Sequence, residues 1–205
     1  MSASCDGAIL RIRQEALHTA ESPPYLIALT GPAGCGKSTA ARLLGHMSRG
    51  GAERVRFAGP IKAALRAIGL TEAQTDGNEK EIPLDLLCGK TPRQAMQTLG
   101  KEWGRDLIGS DLWARAAMHR VHALRARGRN VVIDDCRFDN EAIAVREAGG
   151  HVIYLTGRWD ATVPTHASEA GVSIRHLSGY VSSAGSPERT ARDILRACGV
   201  FFPLA

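Results

Sequence analysis

From residue 25 onward, continuous apolar runs of strand length alternate with amphipathic stretches. Tyr25-Leu26-Ile27-Ala28-Leu29 has no polar position, the pattern of a strand covered on both faces. Glycines follow at once, and residues 38–47 then predict a helix. Residues 54–57 predict a second strand, followed by a helix through Ile61, Leu65 and Ile68. Val131-Val132-Ile133 and residues 152–155 read as two more buried strands, and Tyr180-Val181 as a short last one. Thr91-Pro92 is a helix start, Thr as N-cap and Pro at the first helical position, for a helix over residues 92–104. Ser110 opens another to about residue 127, ended by Gly128. A short helix over residues 140–148 and a last one opened by Ser186-Pro187-Glu188 complete the set. Ahead of Pro23-Pro24, Ala8, Ile9, Ile12, Ala16 and Leu17 suit a short helix.

Strands alternating with helices predict an α/β fold, a mostly parallel sheet with right-handed crossovers, in a single domain. Two stretches resist the pattern. Residues 71–90 are polar, with Asp76-Gly77-Asn78 as a turn, and residues 157–175 lack periodicity and read as a mobile excursion.

Composition adds little to this picture. The 205 residues are 44% hydrophobic and 23% charged, an ordinary soluble composition, with aromatics at only 5%. The net charge of +5 comes with arginines scattered along the chain, which favours a small phosphorylated ligand over a nucleic-acid stripe. No window suits a membrane span, and the five cysteines form no C-x-x-C pair, so free thiols in a cytoplasm are expected.

The chemistry begins at Gly31-Pro32-Ala33-Gly34-Cys35-Gly36-Lys37-Ser38, which fits G-x-x-x-x-G-K-[ST] at each fixed position. Glycines let successive N–H groups turn inward around a phosphate, and the helix that follows adds its positive end. Gly31, Ala33, Gly34, Cys35, Gly36, Lys37, Ser38 and Thr39 are therefore the expected ATP-phosphate site. Lys37 supplies a charge to the β- and γ-phosphates, and the Ser38 hydroxyl is a ligand for Mg²⁺. Asp134 and Asp135, at the end of a neighbouring strand, supply the carboxylate for the magnesium shell, and the sequence does not choose between them.

Arg137, two residues on, suits a second phosphate, since Arg binds phosphate bidentately; the alternative is an internal ion pair with Asp134, Asp139 or Glu141. At ~100° per residue, Met96, Leu99 and Trp103 share a core stripe, and Arg93, Gln97, Gly100 and Gly104 share another. The second stripe is either a ligand wall or a tight helix contact. Lys62, one turn into its helix, either points at a phosphate or is a surface lysine. His119 and His122 lie three apart without a third ligand, which favours a solvated helix face over a metal site.

The motifs Phe57-Ala58-Gly59-Pro60-Ile61-Lys62, Thr91-Pro92-Arg93-Gln94 with Leu99-Gly100 and Gly104-Arg105, Asp135-Cys136-Arg137-Phe138 with Asn140-Glu141, and His166-x-Ser168-Glu169 carry a resemblance. Over about residues 26–195 the chain resembles the deoxynucleoside monophosphate kinases of tailed bacteriophages, within the P-loop nucleoside monophosphate kinases. The resemblance implies a five-stranded parallel sheet, an acceptor-binding helical region over about residues 59–127 and a lid over about 157–176. It implies Lys62, Arg93 and Arg137 near the acceptor phosphate; Gln97 and Arg105 are further candidates for the acceptor site, and His166, with Ser168 and Glu169, for contact with the acceptor sugar or base. Arg158 is implied as the lid arginine, with pairing to Asp160 as its alternative. Ser183 departs from the family, where Asn is expected before the Gly185 turn on the purine side of ATP.

The expected reaction is phosphoryl transfer from ATP to a deoxynucleoside monophosphate, with Lys37, Arg137, Arg158 and Asp135 in the catalytic set. No general base is needed, because the acceptor phosphate is already anionic near neutral pH. Rival readings are a kinase of another small phosphorylated metabolite, similar to dephospho-coenzyme A or phosphomevalonate kinases, and a non-kinase P-loop ATPase or regulatory module. The expected partner is the small-molecule acceptor, with no membrane and no specific nucleic acid; a homodimer is left open, and the location is the cytoplasm, the host's if phage-encoded.

Overall fold

A computed structural model describes residues 24–48, 50–157 and 171–200. The expected helix before Pro23, and Arg158, His166 and Glu169 with most of the expected lid, lie outside the described residues.

Five parallel strands form one sheet in the order β2-β3-β1-β4-β5, with β1 at Leu26–Thr30, β2 at Ala52–Val55, β3 at Asn130–Ile133, β4 at His151–Leu155 and β5 at Gly179–Val181. Every residue of β1 is buried because both faces are covered. Leu26 and Ala28 point to one side, where Ala114, Ala117 and Val121 of helix α5 (Leu112–Arg125) and Ala142 and Val145 of α6 (Asp139–Glu147) pack. Ile27 and Leu29 point to the other, against Ala40 and Leu44 of α1 (Lys37–Met47) and Ala191 and Ile194 of α7 (Pro187–Ala197). Each fully buried Leu, Ile or Val side chain among these contributes roughly 1.5–3 kcal/mol. The chain leaves β1 for one half of the sheet and later returns to the other, so β1 is the switch point, and its carboxyl end is where such sheets bind ligands. This is the α/β P-loop architecture, with α1 following the glycine loop.

The second strand lies two residues earlier than its apolar pattern suggests. Phe57 is buried, yet its N–H leaves the ladder and donates to the Asp135 carboxylate at 2.9 Å. On that side of the sheet α2 (Gly59–Ala67), the short α3 (Glu72–Thr75) and α4 (Pro92–Thr98) build a wall, and α4 continues as a π-helical segment over Leu99–Ile108. The π geometry corrects the expected uniform helix, because a wider turn invalidates stepping at the α-helical angle. Trp103, expected in the core, is 45% exposed, whereas Gly100 and Gly104 are buried. A Cβ on Gly104 would lie 2.4 Å from Trp113 Nε1, and that indole N–H donates to the Gly100 carbonyl at 2.8 Å. The glycines therefore serve a close helix contact. Helix α5 starts after Asp111 rather than Ser110, whose carbonyl accepts from Asn140 and Arg105 instead.

No helix among the described residues is long and apolar enough to cross a membrane, and Cys35, Cys88, Cys136 and Cys198 carry free thiols.

Candidate active site

The glycine loop turns directly out of β1. Gly31 has φ +130°, and a Cβ there would meet the Leu155 carbonyl at 2.4 Å, so no larger residue fits between the loop and β4. Gly36 caps α1 with φ +92°, without a side-chain cap, and the first turn holds no acidic residue. Those first-turn N–H groups and the helix dipole suit an anion. The Lys37 ammonium folds over the loop and donates to the Gly31 and Pro32 carbonyls, each at 2.7 Å.

Ser38 donates its hydroxyl hydrogen bond to Asp134 at 2.8 Å. Asp134 is 4% exposed and also accepts from Arg54, and from Arg56 at 3.3 Å. Burial pushes its carboxyl up, but the Arg54 guanidinium, the Ser38 hydroxyl and Arg56 outweigh burial and hold it below the ordinary carboxylate range. Asp135 has a different setting. It accepts from the backbone N–H groups of Phe57 at 2.9 Å and Ala58 at 3.0 Å, and burial raises its pKa despite them. The two carboxylates, equivalent in sequence, thus separate into one on the phosphate loop and one tying β3 to the start of α2.

A single cleft of about 1220 Å³ runs from the phosphate loop to the π segment. Ala33, Gly34, Gly36, Lys37, Ser38 and Thr39 line one part, and Lys62, Arg93, Gln97, Arg105 and Arg137 line the same cleft with Asp134 and Asp135. Gly31 and Cys35 are not on its wall; Cys35 is buried in the core beside α1. Nine basic side chains and six acidic ones face this cleft, so it attracts anions.

Most of those cations have partners. Lys62 donates to Asp76 at 2.6 Å, and Arg56 and Arg66 pair with the same carboxylate. Burial acts to raise Asp76, but Lys62 and Arg56 lower its pKa to about 2. Arg93 pairs with Glu81, and Arg105 donates to Glu141 at 2.9 Å. Glu141 also accepts from the N–H groups of Arg137 at 2.8 Å and Phe138 at 3.2 Å. Burial, with Asp135 nearby, nevertheless raises its pKa to about 7. The Arg137 guanidinium forms no ion pair among the described residues. The internal pairs open to it in sequence are taken up otherwise: Asp134 by Arg54 and Arg56, Asp139 by Ser173, Glu141 by Arg105.

Sequence reasoning missed Arg54, Arg56, Asp76 and Lys80 on this cleft. Arg54 and Arg56 left a signal, alternating with buried Val55 and Phe57 at the end of a strand. Asp76 left none, being indistinguishable from a turn residue. His119 and His122 are exposed, and no trio of His, Cys, Asp or Glu among the described residues converges as a metal cage. Ser183 is buried, and its hydroxyl has no hydrogen-bond partner among the described residues.

Comparison with known proteins follows the same lines. A family model described as deoxynucleotide monophosphate kinase matches residues 89–189. A protein of Acanthamoeba polyphaga mimivirus, provisionally named a deoxynucleotide monophosphate kinase, is 35% identical over 173 residues, covering 76% of this chain and 84% of its own. Among solved structures, an APS kinase of Mycobacterium tuberculosis is similar with a TM-score of 0.44 and 14% identity, over 86% of this chain and 98% of that one. A sugar kinase of a Janibacter species is similar with a TM-score of 0.45 and 17% identity, over 87% of this chain and 96% of that one.

Proposed function

The chain belongs to the deoxynucleotide monophosphate kinase family, and from that premise we propose that it moves the γ-phosphoryl group of ATP to a deoxynucleoside 5′-monophosphate, giving ADP and the diphosphate. The observation that carries this reading is the shared cleft, with a phosphate loop in one part and Lys62, Arg93 and Arg137 in another. Two phosphates in one cleft are what a phosphoryl transfer requires, and holding them in line replaces general-base chemistry.

In this reading the loop N–H groups and Lys37 hold the donor phosphates. Arg137, exposed on the cleft and without an ionic partner among the described residues, takes the acceptor phosphate with Lys62 and Arg93. Gln97 and Arg105 bound the acceptor. Ser38 and Asp134 fit a magnesium shell: their oxygens lie 2.8 Å apart, and Asp134 is held ionised. Bound Mg²⁺ supplies charge neutralisation on the phosphates and commonly engages only one or two protein groups. Asp135 acts on the site by holding the backbone at Phe57 and Ala58. The lid over residues 157–176, with Arg158 on the transferring group and His166 and Glu169 on the acceptor, belongs to the same proposal. So do an origin in a tailed bacteriophage and action in its host's cytoplasm.

Coupled ADP release measured with ATP, Mg²⁺ and a panel of acceptors tests the reaction. The panel holds deoxy- and ribonucleoside monophosphates, dephospho-coenzyme A and phosphomevalonate. Release that depends on a deoxynucleoside monophosphate supports the reading. Release indifferent to every acceptor would make the protein an ATPase, and a response to another acceptor alone would reassign the substrate.

A further inference from the structure

Phe138 stands out on the cleft wall. It is 47% exposed there, whereas the other aromatic rings lining the cleft, Phe57 and Trp113, are buried. A half-exposed phenyl ring amid charged side chains adds little to the fold.

Its surroundings are organised. The Arg105 guanidinium lies 4.0 Å from the ring centroid, covering one face. Arg105 is itself held by Glu141 at 2.9 Å and the Ser110 carbonyl at 3.3 Å. A cation fixed against one π-face both orients the ring and polarises it. The backbone is fixed too, since the N–H groups of Arg137 and Phe138 both donate to Glu141, which is 2% exposed. One buried carboxylate thus anchors the backbone of two consecutive cleft residues, an arginine and an aromatic, and the guanidinium that braces the ring.

A nucleoside monophosphate presents the matching pair of features, an anionic phosphate and a flat base. We infer that Phe138 is the stacking platform for the acceptor's base, braced from behind by Arg105, while neighbouring Arg137 holds the phosphate. Arg105 then acts as a positioning residue through the ring. This rests on the proposed reaction and assigns its base subsite. Every base has a π-face, so the platform confers affinity for a nucleobase without choosing one.

The test is titration calorimetry and steady-state kinetics on F138A, F138L and F138W with each deoxynucleoside monophosphate. The half-exposed side chain makes all three expected to fold, which melting curves check. F138A and F138L should each weaken monophosphate binding by roughly ten- to a hundredfold, and F138W should retain it. KM for ATP should stay within about twofold in every variant, because the ring lies outside the phosphate loop. Leucine keeps apolar volume but has no π-face, so wild-type affinity in F138L would overturn stacking. Wild-type affinity in F138A, or an equal loss for ATP and monophosphate, would overturn the subsite. If the wild-type chain phosphorylates a deoxynucleoside monophosphate while F138A and F138L match it, the platform falls and the reaction stands. If the wild type neither binds nor phosphorylates any of them, both fall.

Discussion

Asp134 and Asp135 are adjacent carboxylates with opposite settings, and they should fail in different ways. Asp134→Asn removes the charge beside Ser38 and strands Arg54 and Arg56, so it should lower kcat by ~10²-fold or more and lower the melting temperature as well. Asp135→Asn leaves at most one oxygen for the two N–H groups of Phe57 and Ala58, so it should cost about 1–3 kcal/mol of stability. A kcat loss in Asp135→Asn as large as that in Asp134→Asn would remove the distinction. Only local pattern was legible here: the phosphate loop is contiguous, so Lys37 and Ser38 could be read directly. The choice between the aspartates is made by groups 78 and 77 positions away, which no spacing rule reaches. Glu141 gives a pH prediction. Its pKa is raised to about 7, against an ordinary value of 4.5, chiefly by burial. The folded chain therefore holds this proton where the unfolded chain releases it. The residue's favourable contribution is full below about pH 4.5 and is lost as pH rises through about 7. Glu141→Gln should flatten that decline, read as the difference in unfolding midpoint between variant and wild type across pH 5–8. A pH-independent difference would clear Glu141 of the effect.

Among the elements, central strands were the most legible and the helix over residues 92–108 the least. Strands β1, β3 and β4 lie between two helical layers, so they are almost wholly apolar and announce themselves. Strand β2 is at the sheet edge and only Val55 of it is buried, so its pattern misled by two residues. The switch from α to π geometry after Thr98 accompanies the seating of Gly100 and Gly104 against α2 and α5, and a periodicity assumed in advance cannot reveal it. The two glycines should respond differently to alanine. Replacing a helical glycine gains about 1 kcal/mol in propensity. At Gly100 the new methyl meets only the tip of Ile61, at 3.1 Å, so Gly100→Ala should be close to neutral. At Gly104 it would strike Trp113, whose N–H bond to Gly100 resists movement, so Gly104→Ala should lose about 1–3 kcal/mol net. Denaturant midpoints compare them, and similar values for the two variants would refute the tight contact at Trp113.

Across the whole molecule, the parallel sheet gathers the carboxyl ends of β1, β2 and β3 to one rim, and residues drawn from all of them line the cleft. Residues 71–90 were illegible because their anchor, Asp76, gains meaning only when Arg56, Lys62 and Arg66 converge on it. That convergence makes the cleft behave as an ion-exchange resin supplied in its carboxylate form. Asp134, Asp76 and Glu81 are tethered counter-ions, so a phosphate that reaches Arg54, Lys62 or Arg93 displaces a resident anion, while Arg137 has no ionic partner among the described residues. A monovalent anion such as chloride then competes poorly, while a phosphate or sulfate dianion that engages several cations together can win the exchange. Asp76→Asn should turn this selective exchanger into a general one. Sulfate should inhibit the variant at roughly tenfold lower concentration than the wild type, and inhibition should weaken more steeply with added chloride. An unchanged sulfate inhibition constant would mean that Asp76 only braces α3, and that selectivity among anions arises elsewhere in the cleft.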